Sequence, residues 1–500
     1  MTVAHTTGGD VEGAARSGVL RFASVPYAQP PVGALRFAAP QPIEPWEGIR
    51  PAIDLGPVSL QNDAPLQDAL GFPPLPCSED CLTLTVHTPG ADDHERPVMV
   101  WLHGGGFITG SGRAPIGDAS RLCARGDVVV VSVNYRLGTL GFLHLGDLDP
   151  AVGSSGINGI LDQIAALEWV RDNIAAFGGD PENVTVFGAS AGAKSIATLL
   201  VLPAASGLFR RAILQSGAGH GVLDRDEAAR RTRRFCELTG RDTVDGLRAL
   251  DESQILTAQA ALDAELRQGS TETVSWASTL TFQPVIDGVH LVAPPVELAR
   301  RGALAGVDLL TGTTDEEWRM FSILAPGPDT DAELAARFAD VLDAPEAAID
   351  TYRNRLGSGA APARVYDAMM TDARFRVPMH RLADASASAG NRTWLYRFAH
   401  RSPAAGGALG SCHALDVPFV FDNRDGPIST FVGVDSPDAL AEAMQQAWLS
   451  FARHGDPNHE GIPSWAPQDG GRRPVIRFDR HTTMTEDPEP DELALWAGVL

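Results

Sequence analysis

The sequence contains almost no lysine. Lys194 is the only lysine in 500 residues, so nearly all of its positive charge comes from arginine. The 40 Lys and Arg residues are outnumbered by 63 Asp and Glu residues, which gives a formal net charge of −23. A surface of this sign repels the phosphates of nucleic acids and anionic lipid headgroups. We therefore expect no nucleic-acid partner.

Cysteine is also scarce. The five cysteines are Cys77, Cys81, Cys123, Cys236 and Cys412. An odd, sparse set with no C-x-x-C spacing does not suit a disulfide framework or a zinc site. The first residues, MTVAHTTGGDVEG, lack the basic and apolar regions of a secretory signal. No apolar run approaches the roughly 20 residues that span a bilayer. These absences predict a cytoplasmic protein without a membrane span.

The remaining composition is that of an ordinary globular protein. Hydrophobic residues make up 44% of the chain and charged residues 21%, which suits a large buried core and excludes a disordered or collagen-like chain. No internal repeat or obvious linker divides the sequence. We therefore predict a single domain over residues 1–500, with two helical insertions at about 222–280 and 322–390.

Short apolar runs rich in Val, Ile and Leu predict the strands of a sheet. They are Val98–His103, Val128–Asn134, Val184–Phe187, Ala212–Gln215, Val307–Leu310 and Thr393–Phe398. Nearly continuous apolar character indicates strands buried on both faces, as in a parallel sheet. A helix is predicted over Gly159–Phe177, where apolar residues recur every three or four positions until Gly178 and Gly179 end it. The alternation predicts an α/β fold with a mostly parallel central sheet flanked by helices. The insertions would cover the carboxyl edge of the sheet, where ligands bind in such folds.

A candidate nucleophile follows the third of these strands. Gly188-Ala189-Ser190-Ala191-Gly192 has the form G-x-S-x-G, and a helix predicted over Ala191–Leu202 begins within it. A strand that reverses this sharply forces Ser190 into a strained conformation and needs neighbours without side chains. Small residues also gather by chance in turns. The strand–turn–helix context favours the nucleophile, with Ser190 at a helix N-terminus that attracts negative charge.

A candidate oxyanion hole follows the first strand. His103 runs directly into Gly104-Gly105-Gly106, and consecutive glycines leave backbone N–H groups open to a substrate. A tetrahedral acyl intermediate needs such donors for its oxygen, and HGGG is a signature of esterases and lipases. The alternative is a phosphate-binding loop, but the required G-x-x-x-x-G-K-[ST] is absent. We predict Gly105, Gly106 and Ala191 as the donors.

The residues alone leave the acid and the base open. A serine nucleophile needs a general base, most often histidine, and a carboxylate to orient it. The downstream histidines include His380, His400, His413, His454, His459 and His481. His413 follows a glycine-rich loop, Gly406–Gly410, which could bring its ring over the sheet edge. The acid candidates are Asp315, Glu316 and Glu317, which could also form a charged surface turn.

Several segments resemble the type-B carboxylesterases, an α/β-hydrolase family, and its bacterial para-nitrobenzyl esterase branch most closely. They are Val25–Gly33, Ser78–Leu84, Asn134–Gly138, Gly156–Gln163, Phe177–Thr185, Cys412–Phe419 and Gly455–Asn458, in the family's order. The resemblance implies that His413 is the base and that Glu317, five residues after Gly312, is the acid. It implies a serine carboxylesterase that works through an acyl-enzyme on an ester substrate, with no metal or organic cofactor.

Two alternatives and two departures accompany this interpretation. A related carbamate or amide hydrolase would keep the same triad, whereas a non-catalytic binding protein on this fold would lack it.

Secreted members of the family pair the cysteine that matches Cys81 with one about thirty residues upstream, and here only Cys77 precedes it, so no disulfide is expected. Lys194 stands where a small or apolar residue is usual. It could lie near Ser190 and change the local electrostatics, but we favour an ion pair with an acid. A monomer is favoured.

Overall fold

The central sheet determines where the site lies. The computed structural model describes residues 1–63, 74–269, 280–304, 306–323, 325–339, 341–469, 471–486 and 488–499. Its strands are β1 (Thr2–Thr6), β2 (Gly9–Arg16), β3 (Val19–Pro26), β4 (Ile49–Pro51), β5 (Val58–Ser59), β6 (Cys77–Ser78), β7 (Thr83–Thr88), β8 (Arg96–Leu102), β9 (Val129–Val133), β10 (Gly179–Ala189), β11 (Arg211–Gln215), β12 (Asp308–Thr314), β13 (Thr393–Phe398), β14 (Pro474–Phe478) and β15 (Thr483–Glu486).

The middle of the sheet is parallel, as predicted. The order is β1-β2-β3-β7-β9-β8-β10-β11-β12-β13-β14-β15, with β4 beside β2, while β5 and β6 pair separately. Neighbours from β9 to β14 run parallel. Antiparallel pairs flank this part on both sides.

All six predicted strands are present; β13 has the predicted ends, and the ends of the other five are shifted. β10 begins at Gly179, before the predicted Val184, because Gly179 pairs with Arg96 ahead of a register shift. β12 continues beyond Leu310 to Thr314, because threonines that carry polar hydroxyls still fit a buried strand and pair with β13. The apolar run therefore predicts an end for this strand that is four residues too early.

Both faces of the sheet are buried. On β8, Val98, Val100 and Leu102 belong to one apolar cluster, and Met99 and Trp101 belong to another. Side chains alternate between the faces of a strand, so the two clusters are the two layers around the sheet.

Helices form these layers and occur in both stretches that were predicted as insertions. They are Ser120–Gly126, Gly138–Phe142, Asn158–Asn173, Ala191–Leu199, Arg225–Thr239, Val244–Arg248, Glu252–Gly269, Pro295–Leu298, Arg319–Ser322, Asp331–Phe338, Pro345–Leu356, Pro362–Thr371, Val377–Ser388, Val417–Phe421, Ser429–Val432, Asp438–His454 and Pro490–Leu495. No helix among the described residues is long and apolar enough to cross a membrane.

Two predicted helices end earlier than expected. The helix predicted over Gly159–Phe177 is α-helical over Asn158–Asn173 and tightens into a 3-10 turn before Gly178, whose φ of 76° forms the left-handed cap. The helix after Ser190 is predicted to reach Leu202 but ends at Leu199, ahead of a 3-10 turn that begins at Pro203.

The structure describes most of the two stretches that were predicted as insertions. Residues 270–279 of the predicted 222–280 insertion lie outside the described residues, as do 324 and 340 of the predicted 322–390 insertion. In the second stretch, Leu334, Tyr352 and Met369 belong to an apolar cluster of their own. Its last helix, Val377–Ser388, packs against β12 and β13 and so belongs to the layer that covers the sheet.

Candidate active site

The candidate residues come together where the parallel strands end. The strands are in register there, since Leu102 of β8 lies opposite Gly188 of β10, and Gln215 of β11 lies opposite both Ala189 and Gly312. The three loops that leave β8, β10 and β12 therefore begin at one edge, as ligand-binding loops of open α/β sheets do.

The turn after β10 has the geometry predicted for a nucleophile. Ser190 has φ 56° and ψ −117°, a region that side chains rarely adopt, and its N–H donates to the Gln215 carbonyl at 2.9 Å. A Cβ at Gly188 would lie 2.6 Å from the Leu102 carbonyl oxygen, and one at Gly192 would overlap it. Both positions of the motif therefore require glycine, because the turn passes so close to the backbone at the end of β8 that no side chain fits between them.

The glycine loop after β8 lies against this turn. A Cβ at Gly104 would stand 3.2 Å from the Ser190 Cβ. Gly105 and Gly106 have φ of 116° and 64°, which few other residues adopt, and this turns their peptide groups. Ala191 opens the helix that follows Ser190, so its N–H has no partner within that helix. The glycine loop therefore begins beside the serine, and Gly105, Gly106 and Ala191 remain the predicted donors.

The predicted acid and base are in contact. His413 Nδ1 and Glu317 Oε2 lie 2.6 Å apart, with Glu317 fully buried and His413 4% exposed. The other carboxylate oxygen of Glu317 accepts the Thr314 N–H at 2.8 Å. A carboxylate only accepts, so Nδ1 carries the ring proton and Nε2 is left as the acceptor. Phe375 and Phe321 hold the ring from its sides, with centroids 4.9 Å and 5.3 Å away.

The three adjacent acids point in three directions. Asp315 pairs with Arg477 at 3.0 Å and with Arg397 at 3.4 Å. Glu316 accepts the Ser411 N–H and pairs with arginines on several elements; these are Arg319, Arg364 and Arg401. Only Glu317 of the three contacts the His413 ring.

No hydrogen bond joins the Ser190 hydroxyl to His413 within the described residues, although the strand ends bring their loops together. Such bonds are often long in free enzymes and shorten when the substrate binds. Two other downstream histidines contact backbone carbonyls instead, His400 that of Val432 and His459 that of Ala443.

Sequence reasoning missed a supporting network under His413. Asp416 accepts hydrogen bonds from the Gln215 side chain at 2.9 Å and from the Tyr396 hydroxyl at 2.8 Å. Burial raises the pKa of Asp416, and the Glu317 carboxylate raises it further. The network ties the His413 loop to the ends of β11 and β13. Asp416 stands inside the segment that resembles the family, which was the available signal.

The predicted ion pair of Lys194 is not found within the described residues and stays a prediction. Among the described residues no carboxylate pairs with its ammonium, and the charged group acting on it is Arg374. A sequence pattern cannot reveal which charges the fold brings to a side chain. The same part of the chain contains no cluster of three His, Cys, Asp or Glu residues suited to a metal ion. All five cysteines are free.

Comparison with known proteins agrees with this geometry. The model of the carboxylesterase family matches residues 1–496. A para-nitrobenzyl esterase of Bacillus subtilis is 38% identical over 98% of this chain and 97% of its own. A phenmedipham hydrolase of Pseudarthrobacter oxydans is 35% identical over 98% of this chain and 96% of its own. A crystal structure of a Geobacillus stearothermophilus carboxylesterase matches with a TM-score of 0.86 and 37% identity, covering 99% of this chain and 100% of that one. The chain belongs to the carboxylesterase family, has the α/β-hydrolase fold and is a carboxylic-ester hydrolase.

Proposed function

We propose that Ser190, His413 and Glu317 are the catalytic triad of this serine carboxylesterase. The 2.6 Å contact between Glu317 and His413 carries the proposal, because a buried carboxylate on one ring nitrogen fixes the tautomer that a general base requires. The strained turn of Ser190 at the neighbouring strand end supports it.

The reaction follows from these positions. The Ser190 oxygen attacks the ester carbonyl while His413 Nε2 takes the hydroxyl proton, and Glu317 stabilises the imidazolium that forms. The N–H groups of Gly105, Gly106 and Ala191 bind the negative oxygen of the tetrahedral intermediate. The intermediate collapses to an acyl-enzyme, and the alcohol leaves with the proton from His413. Water then attacks the acyl group, with His413 as base, and releases the acid.

The substrates proposed are small esters, including short-acyl aryl esters. The name of the para-nitrobenzyl esterase supports an aromatic alcohol. We also propose a single domain over residues 1–500 that works as a monomer in the cytoplasm of a bacterium. Five free cysteines support a reducing compartment.

Covalent labelling tests the nucleophile. An organophosphate should add one phosphoryl group to the wild-type protein by intact mass and abolish its hydrolysis of p-nitrophenyl butyrate. Ser190→Ala should take up no label and have no activity, while EDTA should leave wild-type activity unchanged. Labelling that persists in Ser190→Ala would place the nucleophile elsewhere.

A further inference from the structure

A second buried carboxyl group follows the proposed base in the same loop. Asp416 stands three residues after His413 and is fully buried. Its Oδ2 accepts one hydrogen bond from the Gln215 side chain at 2.9 Å and another from the Tyr396 hydroxyl at 2.8 Å. Its Oδ1 has no hydrogen-bond partner among the described residues. The two oxygens of this carboxyl group therefore have unequal surroundings.

The orientation of the Gln215 amide is fixed by a third side chain. The Trp448 indole N–H donates to Gln215 Oε1 at 3.2 Å. Because an indole nitrogen can only donate, the amide oxygen of Gln215 must face the indole and the amide NH2 must face Asp416. Asp416 Oδ2 is therefore an acceptor in this contact.

The asymmetry is the one expected of a neutral carboxylic acid. Oδ2 accepts two hydrogen bonds, as a carbonyl oxygen with two lone pairs can, and Oδ1 is left to carry the proton. A buried carboxylate would need partners on both oxygens or a neighbouring cation. Within the part of the chain that the structure describes, no arginine or lysine forms an ion pair with Asp416. An unpartnered O–H costs less there than an uncompensated charge.

The proposed acid makes a charge on Asp416 still less favourable. The Glu317 carboxylate already contacts His413 Nδ1 at 2.6 Å, and two negative charges in one desolvated place repel each other. Burial raises the pKa of Asp416, the Glu317 carboxylate raises it further, and the two hydrogen bonds offset this only in part. His413 could compensate the charge only as an imidazolium, which cannot act as a base.

Asp416 also anchors the loop that carries the base. Ala414, the residue after His413, has a φ of 63°, a left-handed conformation that residues with a Cβ rarely adopt. Contacts on both sides of it must hold that conformation. Gln215 and Tyr396 provide one of them, since they lie on β11 and β13, the neighbours of β12. Asp416 therefore connects the loop to the strands on either side of the one that leads to the acid.

We propose that Asp416 is a positioning residue that works as a neutral acid. It holds the His413 loop through Gln215 and Tyr396 without adding a second negative charge beside the imidazole. An ionised Asp416 would stabilise the imidazolium, and His413 would then be protonated where it has to act as a base. The inference rests on the proposed triad, because it concerns the loop of the proposed base.

The pH dependence of unfolding measures the charge of Asp416 without using activity. An unfolded aspartate is ionised above about pH 4, so a neutral Asp416 releases one proton on unfolding. Rising pH then favours the unfolded chain. Asp416→Asn keeps the shape and the acceptor oxygen but cannot ionise. Between pH 5 and pH 7 the ratio of the wild-type unfolding constant to that of Asp416→Asn should rise about 100-fold, which is tenfold per pH unit.

Asp315→Asn is the matched control in the same urea unfolding experiments. The Asp315 carboxylate pairs with Arg397 and Arg477, so it is ionised in the folded protein as well as in the unfolded chain. The ratio of wild-type to Asp315→Asn unfolding constants should stay the same from pH 5 to pH 7. An equally flat ratio for Asp416→Asn would show that Asp416 is ionised in the folded protein and would overturn the proposal.

Kinetics on p-nitrophenyl butyrate test the positioning role. Asp416→Asn should keep the wild-type kcat and the wild-type pH profile of kcat/KM. Asp416→Ala removes the acceptor of both hydrogen bonds and should lower kcat per folded enzyme by about 10- to 100-fold. An acid limb that moves to lower pH in Asp416→Asn would show that the wild type carries a charge there, which would contradict a neutral acid. Full activity of Asp416→Ala would exclude the positioning role.

The proposed triad fails in a different way. Hydrolysis that persists in Ser190→Ala would overturn the triad. The unfolding ratios do not depend on activity, so they would still report the charge of Asp416.

Discussion

At the scale of single residues, the site depends on which of three adjacent acids faces the ring. Glu317→Gln replaces the carboxylate on His413 Nδ1 with an amide, which can also stabilise the wrong tautomer. We expect kcat to fall by about 10⁴ with KM little changed. Asp315→Asn is the matched control, since its carboxylate pairs with Arg397 and Arg477 and not with the ring. Steady-state kinetics on p-nitrophenyl butyrate would contradict the assignment if the control were the more damaged enzyme.

Glu316 gives a different prediction, because its partners are structural. Its carboxylate accepts a hydrogen bond from the Ser411 N–H and forms ion pairs with Arg319, Arg364 and Arg401. Those arginines extend from separate elements, so the carboxylate connects them to the loop that carries His413. Glu316→Gln should lower the free energy of unfolding by about 1–2 kcal/mol, since it weakens three ion pairs of a half-buried network and the hydrogen bond to the Ser411 N–H.

The Glu316→Gln enzyme that remains folded should keep a kcat within about tenfold of wild type. Urea unfolding and kinetics on one preparation separate the two effects. A kcat loss as large as that of Glu317→Gln, with unchanged stability, would contradict this role.

The residues of the site were predictable to different depths. Ser190 and the glycines around it could be identified because the backbone geometry demands those residue types in order. The acid could not be chosen from the residues, because three neighbours share one chemistry and only the tertiary fold separates their directions. The charged neighbours of Lys194 could not be chosen from the sequence for the same reason, since Arg374, which acts on it, is distant in sequence.

At the scale of elements, the crossing of β8 and the turn after β10 depends on glycine. A Cβ at Gly192 would overlap the Leu102 carbonyl, and two backbone segments cannot move apart without moving Ser190. Gly192→Ala should therefore lower kcat/KM at least 100-fold and reduce the melting temperature. Gly359→Ala is the control, because a Cβ there meets no atom within 4 Å. Equal behaviour of the two variants in kinetics and thermal unfolding would show that the close crossing is unimportant.

Strands differed in how well their sequences predicted them. The six strands from β8 to β13 are buried and were all predicted, whereas β3, β7 and β14, which lie beyond them in the same sheet, were not. The antiparallel strands β1, β2 and β15 are partly exposed and mix polar with apolar residues, so they lack such a run and were missed. These strands form because they pair with a neighbouring strand, and such pairing cannot be read from the sequence.

At the scale of the whole molecule, buried histidines make stability depend on pH. Burial lowers the pKa of His103 to about 4 and that of His380 to about 3, with Arg397 contributing at His380. An unfolded histidine takes up a proton below about pH 6.5, whereas these folded rings stay neutral. The free energy of unfolding is therefore highest above about pH 6.5. It falls as the pH drops below this value, because protons bind to these rings only in the unfolded chain. Burial raises the pKa of Asp367 and Asp416, and these carboxyls act in the opposite direction.

His380 allows this pH dependence to be isolated. Neither of its ring nitrogens has a hydrogen-bond partner among the described residues, so His380→Leu removes a proton-binding group without breaking a hydrogen bond. Between pH 7 and pH 5.5 the wild-type free energy of unfolding should fall by about 1 kcal/mol more than that of the variant, because one fewer proton is taken up on unfolding. His481→Leu, at an exposed ring, should follow the wild type. Urea unfolding at both pH values measures this, and parallel behaviour of wild type and His380→Leu would mean that the buried ring takes up its proton over the same pH range in the folded protein as in the unfolded chain.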